Sequence, residues 1–155
     1  MNEVQGEVCS RMRSDLRFFR FLDGRALSRL ADYFSCRQVR AGEMLWQEGA
    51  ADDYEVFIIS GRLEAKKQTE FAGKEVVVGV FSAGTIVGEL SFLDQRPRAV
   101  SVVALEDSDL LLLSRENFER LLAEHPEQGV ALLKGMLLAV STRLRKAYER
   151  LAAIF

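Results

Sequence analysis

Between residues 36 and 113 the chain holds no single pattern for long: seven short β-type runs follow one another with turn residues between them. The runs are 36–39, 44–46, 55–59, 63–68, 75–81, 98–104 and 109–113, and Gly42, Gly49, Gly61, Gly73 and Gly84 fall in the gaps. Runs this short are half-buried strands, and glycine serves where a tight turn needs positive φ. Many short strands at such spacing predict a jelly-roll or barrel-like β structure. On either side the period becomes helical. From Glu7 to Phe34 the residues Met12, Leu16, Phe19, Leu22, Leu27, Leu30 and Phe34 recur at helical spacing, interrupted at Asp23-Gly24. Asp23 is the expected N-cap of a second short helix carrying Leu27, Leu30 and Tyr33 or Phe34. After the β zone, Ser114 can cap a helix with Phe118, Leu121 and Leu122 on one face, which His125-Pro126 ends. A longer helix is expected over about 126–155. Its residues Leu133, Leu137, Val140, Leu144, Ala147, Leu151 and Ile154 keep a heptad seam.

Composition narrows the function classes. A chain of 155 residues can bury one real core, and 48% apolar with 28% charged residues is ordinary for a soluble globular domain. A net charge of −2 argues against a general nucleic-acid footprint. Cys9 and Cys36 form no CxxC pair, as expected in a reducing cytosol without a disulfide framework. The opening MNEVQGEV is not a secretory signal, and no apolar run reaches membrane-spanning length, so a cytoplasmic, non-membrane protein is expected.

The chemistry concentrates in residues 84–102, GTIVGELSFLDQRPRAVSV. Gly88 has no Cβ and lets the backbone approach a ligand. Leu90, Ser91, Phe92 and Leu93 can form one helical turn whose free N–H groups favour an anion. Arg98 adds a planar, permanently charged fork for the same phosphate. Glu89 would be repelled by phosphate but can accept from a sugar hydroxyl. The string is a phosphate site with a hydroxyl acceptor beside it.

That string resembles the phosphate-binding cassette of the cyclic nucleotide-binding domain family, to which the catabolite activator protein and the regulatory subunits of cyclic-AMP-dependent protein kinase belong. The likeness runs from about Phe21 to Leu144 and is densest over 84–102. It implies an α+β fold: a jelly-roll-like antiparallel β-roll (a double-stranded β-helix) flanked by N-terminal helices and a long C-terminal helix. The whole would form one domain over 1–155, with N-terminal helices in 1–35, the roll in 36–113 and C-terminal helices in 114–155. It also implies that Arg98 and the backbone amides of Ser91 and Ala99 hold the phosphate. Glu89, with the backbone of Gly88 or Leu90, would hold the ribose 2′-hydroxyl. In the family a threonine just after the arginine favours guanine, so Ala99 leans toward cyclic AMP over cyclic GMP. One departure stands out: where relatives usually carry a small residue two places after the arginine, this chain has Val100.

Other candidates read more plainly. Arg96 is a solvent-facing loop arginine, and Asp52-Asp53 and Glu106-Asp107 are solvated turn acids. Trp46 is a core residue, and His125 stands alone at a helix end. No histidine, cysteine or serine constellation supports a metal site or a nucleophile with its base, so no cofactor and no enzyme are expected. Lys134, Arg143, Arg145, Lys146 and Arg150 make the last helix basic, which reads as the polar face of a lid or dimer helix. The chain is thus expected to be a stand-alone cyclic nucleotide sensor, homodimeric through its C-terminal helix and signalling to an unidentified effector protein. Direct DNA binding is not expected, because the helix-turn-helix domain of the family's transcription factors would begin where the chain stops. The alternative is a β-roll interaction module that binds no nucleotide, with Val100 as its support. A regulatory segment of a channel or kinase is a further one.

Overall fold

Why the middle of the chain folds as it does is visible in its third strand, where both faces are buried. The computed structural model describes Met12 and residues 15–155; Cys9 and the start of the helix expected from Glu7 lie outside them. The strands are β1 (Ser35–Val39), β2 (Met44–Trp46), β3 (Tyr54–Ser60), β4 (Arg62–Gln68), β5 (Glu75–Ser82), β6 (Ile86–Val87), β7 (Ser101–Ala104) and β8 (Ser108–Ser114). The helices are α1 (Gly24–Leu30), α2 (Glu89–Asp94), α3 (Arg115–Glu124) and α4 (Pro126–Ala152), with 3-10 turns at Arg17–Phe19 and Ala31–Tyr33.

Two antiparallel four-stranded sheets result, in the orders β1-β8-β3-β6 and β2-β7-β4-β5. They form the expected β-roll. Alternate residues of β3 serve different cores, as a strand's period of two requires. Val56 and Ile58 join Leu63, Val102 and Leu110 between the sheets. Phe57 and Ile59 join Phe18, Phe19, Leu121, Leu132 and Met136 under the helices. Asp23 caps α1 by accepting from the Ala26 N–H at 2.8 Å, and Ser114 caps α3 by accepting from Asn117 at 3.1 Å. His125 ends α3, and its ring meets Tyr33 edge-on at 6.2 Å.

The long α4 is fixed by close backbone approach. Its buried residues are Gly129, Leu132, Gly135, Met136 and Ala139. A Cβ added at Gly135 would lie 1.9 Å from the Phe18 carbonyl oxygen, so only glycine lets α4 pack on the Arg17–Phe19 turn. Most of the heptad seam is a different face: Leu137, Leu144, Leu151 and Ile154 are exposed, while Val140 packs against the helical core. Two details of the strands differ from expectation. The run expected over 98–104 becomes a strand only at Ser101. The reason is that the Arg98 N–H donates to the Ala50 carbonyl at 2.8 Å and the Gly49 N–H to the Arg98 carbonyl at 2.8 Å, which ties that segment to a turn instead. The short β6, unexpected, pairs Ile86 with Phe57 and Val87 with Val56 and delivers the chain to the site.

Candidate functional site: the cassette under the C-terminal helix

Gly88 is the pivot on which β6 turns into α2. It takes φ +93°, and a Cβ there would lie 2.7 Å from Arg98 Nη1 and 3.0 Å from the Trp46 ring. The first helical hydrogen bond of α2 runs from the Phe92 N–H to the Gly88 carbonyl at 3.2 Å, so the amides of Glu89, Leu90 and Ser91 are the turn's unpaired ones. Ser91 and Phe92 anchor the turn in the core, while Leu90 stays exposed. Gln95 closes it in the left-handed region at φ 61°, and Asp94 accepts from the Arg96 N–H at 2.9 Å.

Arg98 is 2% exposed. Its Nη2 donates to the Tyr54 carbonyl at 2.6 Å and its Nη1 to the Gly88 carbonyl at 3.4 Å. The guanidinium lies 3.7 Å from the Trp46 ring centroid and 4.8 Å from that of Tyr54, with Asp52 Oδ2 3.7 Å from Nε. Burial lowers its pKa from the ordinary arginine value, and Tyr54 and Asp52 oppose that shift. An arginine this basic stays charged, so the site holds a fixed cation on an aromatic floor. Trp46 donates its Nε1–H to the Val100 carbonyl at 3.0 Å, which locks that floor. The Ala99 carbonyl accepts from Lys67 Nζ at 3.0 Å.

Glu89 is not free for solvent. Its carboxylate pairs with Arg143 of α4, and Arg143 also donates from Nη1 to the Ile86 carbonyl at 2.8 Å. Its guanidinium sits 5.0 Å from the Phe81 ring. The C-terminal helix is therefore tied directly to the cassette. Above it lies a cavity of about 750 Å³, within the usual range for small-molecule sites. All six residues singled out in the sequence line it: Gly88, Glu89, Leu90, Ser91, Arg98 and Ala99. Val100 lines it too without closing it.

Several readings of single residues change. Asp52 is a partner of Arg98 rather than a solvated turn acid. Glu106 and Asp107 stay exposed as expected, Glu106 pairing with Arg62 at 3.1 Å and Asp107 accepting from the Ala41 N–H at 2.9 Å. Trp46 is in the core as expected, but it is also the plate beneath Arg98. Arg143 belongs to the site rather than to a solvated polar face. None of these contacts had a sequence signal, because each joins segments that only the fold brings together. Arg96, with its side chain 84% exposed, is the solvent-facing arginine expected. Among the described residues no three His, Cys, Asp or Glu side chains are grouped to hold a metal ion, and no helix is long and apolar enough to cross a membrane.

An eight-stranded roll that presents a glycine-led turn, a buried arginine and an acid beneath a long helix defines a ligand-binding regulatory domain. The chain belongs to the cyclic nucleotide-binding domain family, whose profile matches residues 36–125. It is 34% identical over 119 residues to the cAMP-dependent protein kinase regulatory subunit of Blastocladiella emersonii, covering 77% of this chain and 29% of that protein. It is 32% identical over 108 residues to the lysophospholipase NTE1 of Phaeosphaeria nodorum, covering 70% of this chain and 7% of that protein. The chain thus spans less than a third of these relatives. Among solved structures, a cyclic nucleotide-binding domain from Methylobacillus flagellatus KT superposes with a TM-score of 0.79 at 28% identity, covering 86% of this chain and 75% of that one. The Thermus thermophilus catabolite activator protein gives a TM-score of 0.71 at 26% identity, covering 89% and 62%.

Proposed function

We propose that this chain is a cyclic AMP-responsive regulatory domain of the cytoplasm whose output element is α4. The observation that carries the reading is the bond between Arg143 and Glu89. The acid suited to the ribose hydroxyl is the same one that holds the C-terminal helix, so a ligand that engages Glu89 necessarily acts on α4. A ligand moves such an equilibrium only by binding one helix position better than another, and a shared carboxylate supplies that difference. Arg98 and the amides of Ser91 and Ala99 would take the phosphate. Gly88 and Leu90 would bring backbone to the sugar beside Glu89. Cyclic AMP is preferred over cyclic GMP because Ala99 offers guanine no hydroxyl, and a relative at 34% identity is named for cAMP dependence.

The exposed seam of α4 supports a homodimer, the partner supplying the apolar cover for Leu137, Leu144, Leu151 and Ile154. Calorimetry with cyclic AMP and cyclic GMP, paired with hydrogen exchange across α4, tests the reading. Tighter binding of cyclic AMP with changed exchange beyond about residue 141 is expected. Binding of neither nucleotide to folded protein would overturn it in favour of an interaction module.

A further inference from the structure

Strand β3 buries an acid that the ligand site does not use. Glu55 is 0% exposed, and among the described residues neither of its carboxylate oxygens has a hydrogen-bond partner. It shares a strand face with Phe57 and Ile59 and lies opposite Leu113 of β8, so the fold itself asks for an apolar residue there. The preceding residue, Tyr54, accepts from Arg98 Nη2 at 2.6 Å, so the strand itself carries Glu55 to the cassette; among the described residues, Glu89 at the head of α2 disfavours its ionisation and Arg98 favours it. These are the residues assigned above to the sugar and the phosphate. Each already has a partner, Glu89 in Arg143 and Arg98 in Asp52. Glu55 is the third acid of the cluster and, among the described residues, has no cation of its own.

We infer that Glu55 is a proton-linked positioning residue of the cassette, which holds an anion at Arg98 more tightly while Glu55 is neutral. The inference rests on the cyclic nucleotide reading. A bound phosphodiester brings one negative charge to Arg98 and cancels the field that favours an ionised Glu55. By linkage, ionising Glu55 must weaken the anion by the same factor. Burial, followed by Glu89, holds the Glu55 carboxyl well above the usual carboxylate range. The sign follows from that raised value. Affinity is constant while Glu55 is protonated and falls as pH rises through its pKa in the free protein, by up to about tenfold per pH unit. The same group makes the free protein less stable as pH rises from the unfolded toward the folded pKa, since the folded state then binds more protons.

The test is calorimetry of cyclic AMP with wild type and Glu55→Gln between about pH 6 and about pH 9, a range over which the ligand's charge is fixed. The expected result is a wild-type affinity that falls toward high pH with proton uptake on binding, and a Glu55→Gln affinity that stays flat. Equal slopes in the two proteins, or no slope in wild type, would overturn the inference while leaving cyclic nucleotide binding intact. Absence of binding at every pH in both proteins would remove both. If Glu55→Gln does not fold, a carboxyl-carbon NMR titration of wild type decides: the Glu55 pKa must rise when cyclic AMP is added, and an unchanged value refutes the linkage.

Discussion

The bond between Arg143 and Glu89 can be measured directly. Their side chains are 24% and 17% exposed, so the pair lies between a solvated surface pair and a fully buried one. At an effective dielectric near 20, two unit charges at about 4 Å attract by about 4 kcal/mol, and desolvation of both groups removes more than half of that. A charge-assisted hydrogen bond of about 1.5–3 kcal/mol is the matching estimate from mutational series. Arg143→Ala also loses the bond from Nη1 to the Ile86 carbonyl, about 1 kcal/mol. We therefore expect Arg143→Ala to destabilise by about 2–3 kcal/mol, Glu89→Gln by about 1–2 kcal/mol, and the double variant by about 1.5 kcal/mol less than their sum. Urea unfolding of the four proteins at constant pH and salt measures each value, with unchanged m-values confirming that the unfolded state is comparable. Amides of α4 beyond residue 141 should exchange faster in Arg143→Ala. If the two losses add within about 0.5 kcal/mol, the pair is not coupled and the tie between helix and cassette does not exist.

Arg98→Ala should weaken cyclic AMP by about 2–5 kcal/mol in calorimetry, and Arg98→Lys should recover only part because an ammonium cannot form the planar fork. Unchanged affinity in a folded Arg98→Ala protein would remove the phosphate assignment. Gly135→Ala gains about 1 kcal/mol of helix propensity but forces its Cβ against the Phe18 carbonyl, and overpacking of backbone wins; a net loss of about 2 kcal/mol or more in thermal unfolding is expected. Leu144→Glu should give folded monomers in sedimentation, and a wild-type protein that stays monomeric at tens of micromolar would refute the dimer.

Much of this protein is determined locally, and the sequence by itself carries that part. Turn glycines and period-two runs specify short antiparallel strands, Asp23 and Ser114 set helix starts a few residues away, and the Gly88-Glu89 to Arg98 string brings its own geometry within one loop. All act over distances of a few residues, where covalent connection does the positioning. The tertiary structure decided the rest. The run 75–81 reads as one more half-buried strand, yet Val76, Val77, Val78 and Val80 are about half exposed on both of its faces, at the edge position β5 takes beside β4. Trp46 and Asp52 surround Arg98 from segments about fifty residues upstream, and Glu89 meets Arg143 from 54 residues away. Glu55 opens the run 55–59 in the sequence, and only the fold shows it to be fully buried. Charge partners and burial depend on which distant segments condense together, and side-chain periodicity along the chain carries no record of that choice.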